Sequence, residues 1–405
     1  MSNKIDCNMK KMICLAAMLS GLSLMAENQP FLTQVYDFQP APGQFVNTLP
    51  AYTAGESKAD VLVRVKDAIC GRYEENDWGQ IEMIYKPSGI SLGGYGGYVV
   101  VGFDHPVVNV AGTYDFQIFG NAYYATSSTT GGSCEPGIVM VSYDANGNGI
   151  PDDPWYELAG SEYYSPKTQH HFTITYYKPD ENKVKTPDPV EKAITDNTYI
   201  RWTSNDENTD SISGYLYKNQ FHSQSYWPQW VEGETLTFSG SKLCNNAVQT
   251  GGPGGAWTQT CKNWGYVDNR MDYDPFVPRE DLDTTYLNMG FNIEWAVDAE
   301  GVPVHLPMVH FIKIYNAMNQ YCGWIGETST EVTGGIDYHP AEAQPQVMAG
   351  DVNGSGVVDV SDVTAEVNFI LGTKSAGYNP IVVDINADQS FDVSDVTSLI
   401  NSILE

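Results

Sequence analysis

Near its C-terminal end the chain repeats one acidic loop. DVNGSGVVDVSD spans Asp351–Asp362, and DINADQSFDVSD spans Asp384–Asp395, 33 residues later. Oxygen-bearing side chains fall at loop positions 1, 3, 5, 9 and 12 of both copies. They are Asp351, Asn353, Ser355, Asp359 and Asp362 in the first, and Asp384, Asn386, Asp388, Asp392 and Asp395 in the second. Position 7 adds a backbone carbonyl, from Val357 and from Ser390. Oxygens turned inward at alternating positions suit calcium, a hard cation that takes six to eight oxygens at about 2.3–2.6 Å. Gly356 occupies position 6, where the turn is sharpest, and Gln389 replaces it in the second copy. A solvated acidic tail has no reason to repeat both its ligand set and its spacing.

Each loop runs into a helical pattern. Val363, Val367, Ile370 and Leu371 follow the first, and Val396, Leu399, Ile400 and Ile403 follow the second. Spacings of three and four place these apolar groups on one helix face, so two loop–helix units that pack on each other are expected. Position 12 is Asp rather than the Glu of an EF-hand, one methylene shorter. On these residues the last 55 or so resemble the type I dockerin domain. The resemblance implies calcium binding and docking onto a cohesin-like module. It would place recognition at the helix starts, Val360, Ser361, Val393 and Ser394.

The N-terminal residues read as an export leader. Lys10 and Lys11 precede an apolar run, Met12 to Met25, that ends at Ala26 before Glu27. That is a basic segment, a short apolar core and a small residue at the cut. The run falls short of the roughly 20 residues needed to span a bilayer, and no other segment is long and apolar enough to do so. Cys14 lies at the start of the run and Cys7 before it, so no lipid anchor is expected from this leader. A secreted or cell-surface location follows.

A formal charge of −29 excludes nucleic acid as a partner, because phosphate binding needs clustered Lys and Arg. Beyond the leader, five cysteines remain: Cys70, Cys134, Cys244, Cys261 and Cys322. Export permits disulfides. Cys244 and Cys261 bracket a Gly-rich stretch and are the expected pair, with the odd count leaving at least one thiol over.

The expected organisation is a leader (1–26), a body (27–340), a linker (341–350) and the tail (351–405). The 26 Tyr and 9 Trp, with few Lys and Glu, read as all-β. Strand patterns cover Tyr98–Phe103, Thr113–Phe119, Gly137–Tyr143, His171–Tyr177, Thr235–Phe238, Phe291–Val297 and His310–Tyr315. Asp298–Gly301 reads as a hairpin turn. Ser57–Cys70 is the clearest helix, with an ambiguous Val-rich centre. The fold class expected is mainly β: a jelly-roll-like β-sandwich body followed by a small α-helical calcium-binding domain. The segments SLGGYGGYVVVGFDHPVVN, YDFQIFGNAYY and EPGIVMVSYDANGNGIPDDPWYELAGSEY resemble a group of bacterial cell-surface β-sandwich proteins of uncertain function. That resemblance names no ligand.

A third candidate calcium loop lies in the body. Asp144, Asn146, Asn148, the Ile150 carbonyl and Asp152 repeat positions 1, 3, 5, 7 and 9, with Asp153 or Glu157 available to close the shell. The glycines Gly93–Gly97 lack the Lys-Ser/Thr end of a phosphate loop and read as a tight turn. Phe221–Trp230 gathers aromatic and polar groups, and His222, Gln224, Tyr226, Trp227 and Trp230 are the candidate ligand-binding residues. Flat rings stack on sugars, while His and Gln supply directed hydrogen bonds. The alternative is that these rings cover one end of the sandwich.

No catalytic residues are assigned. Glycoside hydrolysis needs two carboxylates about 5–9 Å apart; Glu135, Asp268, Asp272, Glu294 and Asp298 carry no diagnostic spacing. The leading functional reading is a non-catalytic glycan-binding protein, calcium-stabilised and tethered by its tail. A glycoside hydrolase, and surface capture of a small nutrient such as a corrinoid, stand as alternatives.

Overall fold

The computed structural model describes residues 28–75, 81–84, 88–125, 131–206, 212–270, 289–373, 377–386, 388 and 390–405. The expected leader and Asp272 lie outside them.

Two antiparallel sheets organise the body. Their strands, in chain order, are β1 (Gln34–Gln39), β2 (Tyr98–Gly102), β3 (Gly137–Ser142), β4 (Trp155–Leu158), β5 (Gln169–Tyr177), β6 (Ile194–Ser204), β7 (Ser213–Asn219), β8 (Thr235–Lys242), β9 (Ala296–Val297) and β10 (Phe311–Asn316). The first sheet runs β1-β2-β10-β3-β4-β9 and the second β7-β6-β5-β8. Central β2 is buried from Val99 to Gly102, as its unbroken apolar run predicts. β5 alternates, with Phe172, Ile174 and Tyr176 inward and polar Thr173 and Thr175 outward.

Helix α1 (Lys58–Ile69) resolves the ambiguity of its Val-rich centre through its cap. Ser57 accepts from the Asp60 backbone N–H, and Asp60 returns a bond to the Ser57 N–H. Such a capping box contributes about 0.5–2 kcal/mol. Val61, Val65, Ala68 and Ile69 then fall on one buried face.

Some expectations are corrected. Phe291–Val297 is not one strand: the Asn292 side chain accepts from Glu294 N–H and turns Ile293–Trp295 into a 3-10 helix, which leaves only β9 extended. The two strands β6 and β7 escaped the sequence pattern. The β6–β7 register shifts between Ile194 and Asp196 and again between Asp196 and Ile200. These bulges bury Tyr199 and Ile200 side by side and break the alternation that marks a strand.

Gly93–Gly97 forms the expected tight turn. Gly93 has φ +69°, and a Cβ there would stand 2.0 Å from the Ala41 carbonyl oxygen. Asp298–Gly301 turns as expected, with Gly301 N–H donating to Asp298 O at 2.9 Å.

In the tail, helices α2 (Val360–Ile370) and α3 (Val393–Leu404) follow the two acidic loops. The tail packs onto the body. Phe369, Tyr378 and Val383 join the same buried cluster as the first sheet and α1. Gly377 N–H donates to Pro303 O at 2.8 Å, and His305 N–H to Tyr378 O at 2.8 Å. Among the described residues, no helix is long and apolar enough to cross a membrane.

Candidate functional site

The three acidic loops share one internal wiring. In the first tail loop, Ser355 N–H donates to Asp351 Oδ1 (2.8 Å) and Asn353 Oδ1 (2.9 Å), and Gly356 N–H donates to Asp351 Oδ2 (2.8 Å). In the second, Asp388 N–H donates to Asp384 Oδ1 (3.1 Å) and Asn386 Oδ1 (2.9 Å). In the body loop, Asn148 N–H donates to Asp144 Oδ1 (3.1 Å) and Asn146 Oδ1 (2.9 Å). Position 5 accepts from the position-7 N–H in each: Ser355 from Val357 (3.3 Å), Asp388 from Ser390 (2.9 Å) and Asn148 from Ile150 (2.7 Å). Each loop is thereby curled with the oxygens of positions 1, 3 and 5 on its concave side.

The ends of the tail loops are also helix caps. Asp359 and Asp392, at position 9, cap α2 and α3, and Asp362 and Asp395, at position 12, complete capping boxes. Hydrogen bonds from Ser361 and Ser394 hold the Asp359 and Asp392 carboxyls below the usual range. Asp362 and Asp395 are fully buried. Asp362 Oδ1 accepts from Asn353 N–H (3.0 Å), and Asp395 Oδ1 accepts from Ile385 N–H (3.0 Å). In the body loop, Asp152 Oδ1 lies 3.2 Å from Asn148 Nδ2. Asp153, not Glu157, closes on that loop. Its Oδ2 is buried with no hydrogen-bond partner, and burial beside Asp144 and Asp152 raises its carboxyl. An all-oxygen donor set with an orphaned carboxylate oxygen fits a hard cation.

The aromatic segment stands elsewhere than expected. Tyr226 is 0 % and Trp227 3 % exposed, within the core beneath the second sheet. Tyr226 N–H donates to Tyr199 Oη at 3.3 Å, and Trp230 stacks on Phe38 with centroids 6.0 Å apart. His222 meets the Phe45 ring edge-on at 4.7 Å, and the Gln224 amide donates to the Gln44 carbonyl. Tyr226 and Trp227 therefore have no free ring face for a ligand, because sheet packing has already covered them. The segment covers an end of the second sheet.

A cleft that sequence reasoning missed opens between the sheets. Its volume is about 710 Å³. Trp155 and Glu157 of β4, His170 and His171 of β5, Ser241 of β8 and the Asp298–Gly301 turn line it, with Tyr163 and Tyr164 on one wall. β5 bulges here: Gln169 faces Lys242, but Phe172 faces Gly240, one residue out of step. His171 sits at φ +54° in this bulge. Bulges and left-handed non-glycine residues recur beside functional sites, where they re-aim side chains. The Tyr164 ring is 70 % exposed and packs edge-on to Tyr163 at 4.9 Å.

Glu157, Ser241 and His170 form a chain. Ser241 Oγ donates to Glu157 Oε2 at 2.7 Å and lies 3.0 Å from His170 Nδ1. His170 Nε2 lies 3.1 Å from the Tyr163 carbonyl, which only accepts, so Nε2 carries a hydrogen. An ionised Glu157 accepts from the Ser241 hydroxyl, and a protonated Glu157 can instead donate to it. Burial pushes the Glu157 carboxyl up to about 7 against the Ser241 hydrogen bond. The sequence signal was the run WYELAGSEYY followed by HH, dense in cleft-type residues but giving no sign that Ser241 would join them.

Two further clusters are tertiary products. Glu135 and Asp268 meet Glu331 in a buried group whose ligand atoms lie within 4.8 Å of one another. Cys134 Sγ lies 2.9 Å from Cys261 Sγ, whereas Cys244 meets Lys262 Nζ at 2.9 Å. The expected Cys244–Cys261 bond is not formed, and all three cysteines are free thiols; it is Cys134 that approaches Cys261, because β-pairing of Gly131–Ser133 with Ala256–Thr260 brings those two ends together.

The family model of the Dockerin type I domain matches residues 349–404. These residues are a type I dockerin domain; such domains bind calcium and dock onto cohesin modules. No curated protein matches the chain.

Proposed function

We propose that this chain is an exported, non-catalytic glycan-binding protein whose dockerin domain joins it to a cohesin-type module. The divisions proposed are a leader 1–26, a body 27–340, a linker 341–350 and the tail 351–405. Calcium sits in the two tail loops on Asp351, Asn353, Ser355, Val357 O, Asp359 and Asp362, and on Asp384, Asn386, Asp388, Ser390 O, Asp392 and Asp395. A third ion sits on Asp144, Asn146, Asn148, Ile150 O and Asp152. The common wiring of the three loops supports this. Val360 and Val393, both 70 % exposed at the helix starts, are free to meet a cohesin.

The observation that carries the glycan reading is the aromatic-walled cleft around the Glu157–Ser241–His170 chain. Its rings offer stacking faces, and its acid, hydroxyl and imidazole offer directed bonds to sugar hydroxyls. Of the five expected ligand residues, His222, Gln224 and Trp230 are part-exposed at the far segment, and they are secondary to this cleft.

The test is binding of the calcium-loaded full chain to a broad glycan panel, with reducing-end release measured on the same glycans. Binding that Trp155→Ala and Glu157→Gln weaken, without release, is the expected result. Release would make the cleft an active site. Asp298 is poorly placed as a second catalytic acid, since its Oδ1 already accepts from Glu300 N–H (3.0 Å) and Val302 N–H (2.8 Å). No glycan binding at all would sink the reading and move weight to capture of a small nutrient such as a corrinoid.

A further inference from the structure

We infer that Glu366 is an additional acid of the second tail calcium site, one that the internal repeat does not supply to the first. The inference rests on the reading that both tail loops hold calcium.

The two loop–helix units superpose in sequence at an offset of 33 residues, which pairs Asp362 with Asp395 and Glu366 with Leu399. Both fourth positions after the loop are inside the fold: Glu366 is 1 % and Leu399 0 % exposed. Where the second unit buries a methyl-bearing side chain, the first buries a carboxyl. Neither Glu366 oxygen has a hydrogen-bond partner. An ionised carboxylate in such a place costs several kcal/mol unless a positive charge compensates it.

The packing shows which loop each residue serves. Leu399 Cδ1 lies 2.7 Å from where a Cβ would stand on Gly350, the residue before Asp351. Leu399 therefore props the first loop from beneath, and helix α3 lies under the loop of the other unit. Helix α2 does the same for the second loop. Phe369, one turn beyond Glu366 on the same buried face, packs edge-on to Phe391 of the second loop with centroids 5.4 Å apart. Burial raises the Glu366 carboxyl first, and Asp395, the position-12 residue of that loop, raises it further. A buried, unpartnered acid thus lies against the second acidic loop, where the first loop has only a leucine.

Calcium affinity in such loops rises with the number of acidic ligands and the rigidity of the site. The second loop already carries Asp388 where the first carries Ser355. With Glu366 behind it, its charge exceeds that of the first loop by two carboxylates. The two tail sites are accordingly unequal, the second binding more tightly.

The experiment is calorimetric titration of calcium into the full chain, for wild type, Glu366→Leu and Glu366→Gln. Leucine copies the packing that Leu399 makes in the other unit, so the fold survives, and the calcium-free melting temperature checks this. Both variants are expected to weaken one site by about 10–100-fold, the range for residues that support a metal shell, and to leave the others unchanged. In an Asp384→Asn background, where the second loop is already disabled, Glu366→Leu is expected to change nothing further. Unchanged affinities in both Glu366 variants would overturn the proposal, as would a Glu366→Leu effect that persists in the Asp384→Asn background. If neither Asp351→Asn nor Asp384→Asn removes a site, the calcium reading of the tail itself fails, and this proposal with it.

Discussion

The Tyr378 hydroxyl, between the two tail loops, donates to Asp298 Oδ2 at 2.8 Å. Asp298 stands on the rim of the intersheet cleft. One hydrogen bond therefore links the dockerin domain to the turn that borders the candidate ligand site. With the Val304–Tyr378 bridge and the shared core, it makes the tail a packed part of the molecule rather than a bead on a string.

Tyr378→Phe removes that bond and keeps the ring. A hydrogen bond to a charged acceptor contributes about 1.5–3 kcal/mol. Urea denaturation of the variant should show a loss of that order, and amide exchange should rise at Val302–His305. An unchanged midpoint with unchanged exchange would mean that the tail does not brace the cleft.

Calcium removal should lower the melting temperature. A ligand present at about 1,000 times its dissociation constant stabilises by roughly 4 kcal/mol per site. Asp144→Asn should remove only the body loop's share, and the tail loops should still respond to chelator. A melting curve indifferent to fully stripped metal would refute all three loop assignments.

Trp227→Ala and Trp155→Ala should fail in different ways. Trp227 lies in the core, so its loss should cost about 3–5 kcal/mol of stability. Trp155 lines the cleft and should cost ligand affinity with a smaller change in stability. Parallel thermal melts and glycan-binding isotherms separate the two. The reverse pattern would return the ligand site to the Phe221–Trp230 segment.

Burial also sets a pH dependence. Glu327 is enclosed near Tyr176 and Tyr226, and its carboxyl is pushed up to about 8. An unfolded Glu titrates near about 4.3. Between those values the folded state holds the proton and the unfolded state does not, so stability falls as pH rises from about 4.3 through about 8. Glu327→Gln, which stays neutral, should flatten that fall. Denaturant midpoints taken from pH 5 to pH 8 decide it, and an unchanged slope would place the titration elsewhere.

Helix α1 shows how far local chemistry reaches, since Ser57, Asp60 and four apolar positions on one face were all readable in order. Strand β6 shows where it stops: its bulges are set by the partner β7 and hide the alternation. The fragment Phe221–Trp230 was legible as aromatic but not as buried. A ring's spacing along the chain does not say which of its faces another sheet will cover.

The sequence by itself determined the tail loops and their helices, the dockerin resemblance and the mainly-β class. Those depend on contacts a few residues apart, such as Asp351 with Ser355 and Asp359 with Asp362, which any chain with that spacing makes. Only the tertiary structure decided the cleft, the Cys134–Cys261 approach and the docking of Tyr378 on Asp298. Each joins groups far apart in the chain: Glu157 and Ser241 meet although β4 and β8 belong to different sheets, and no local pattern encodes how two sheets are packed.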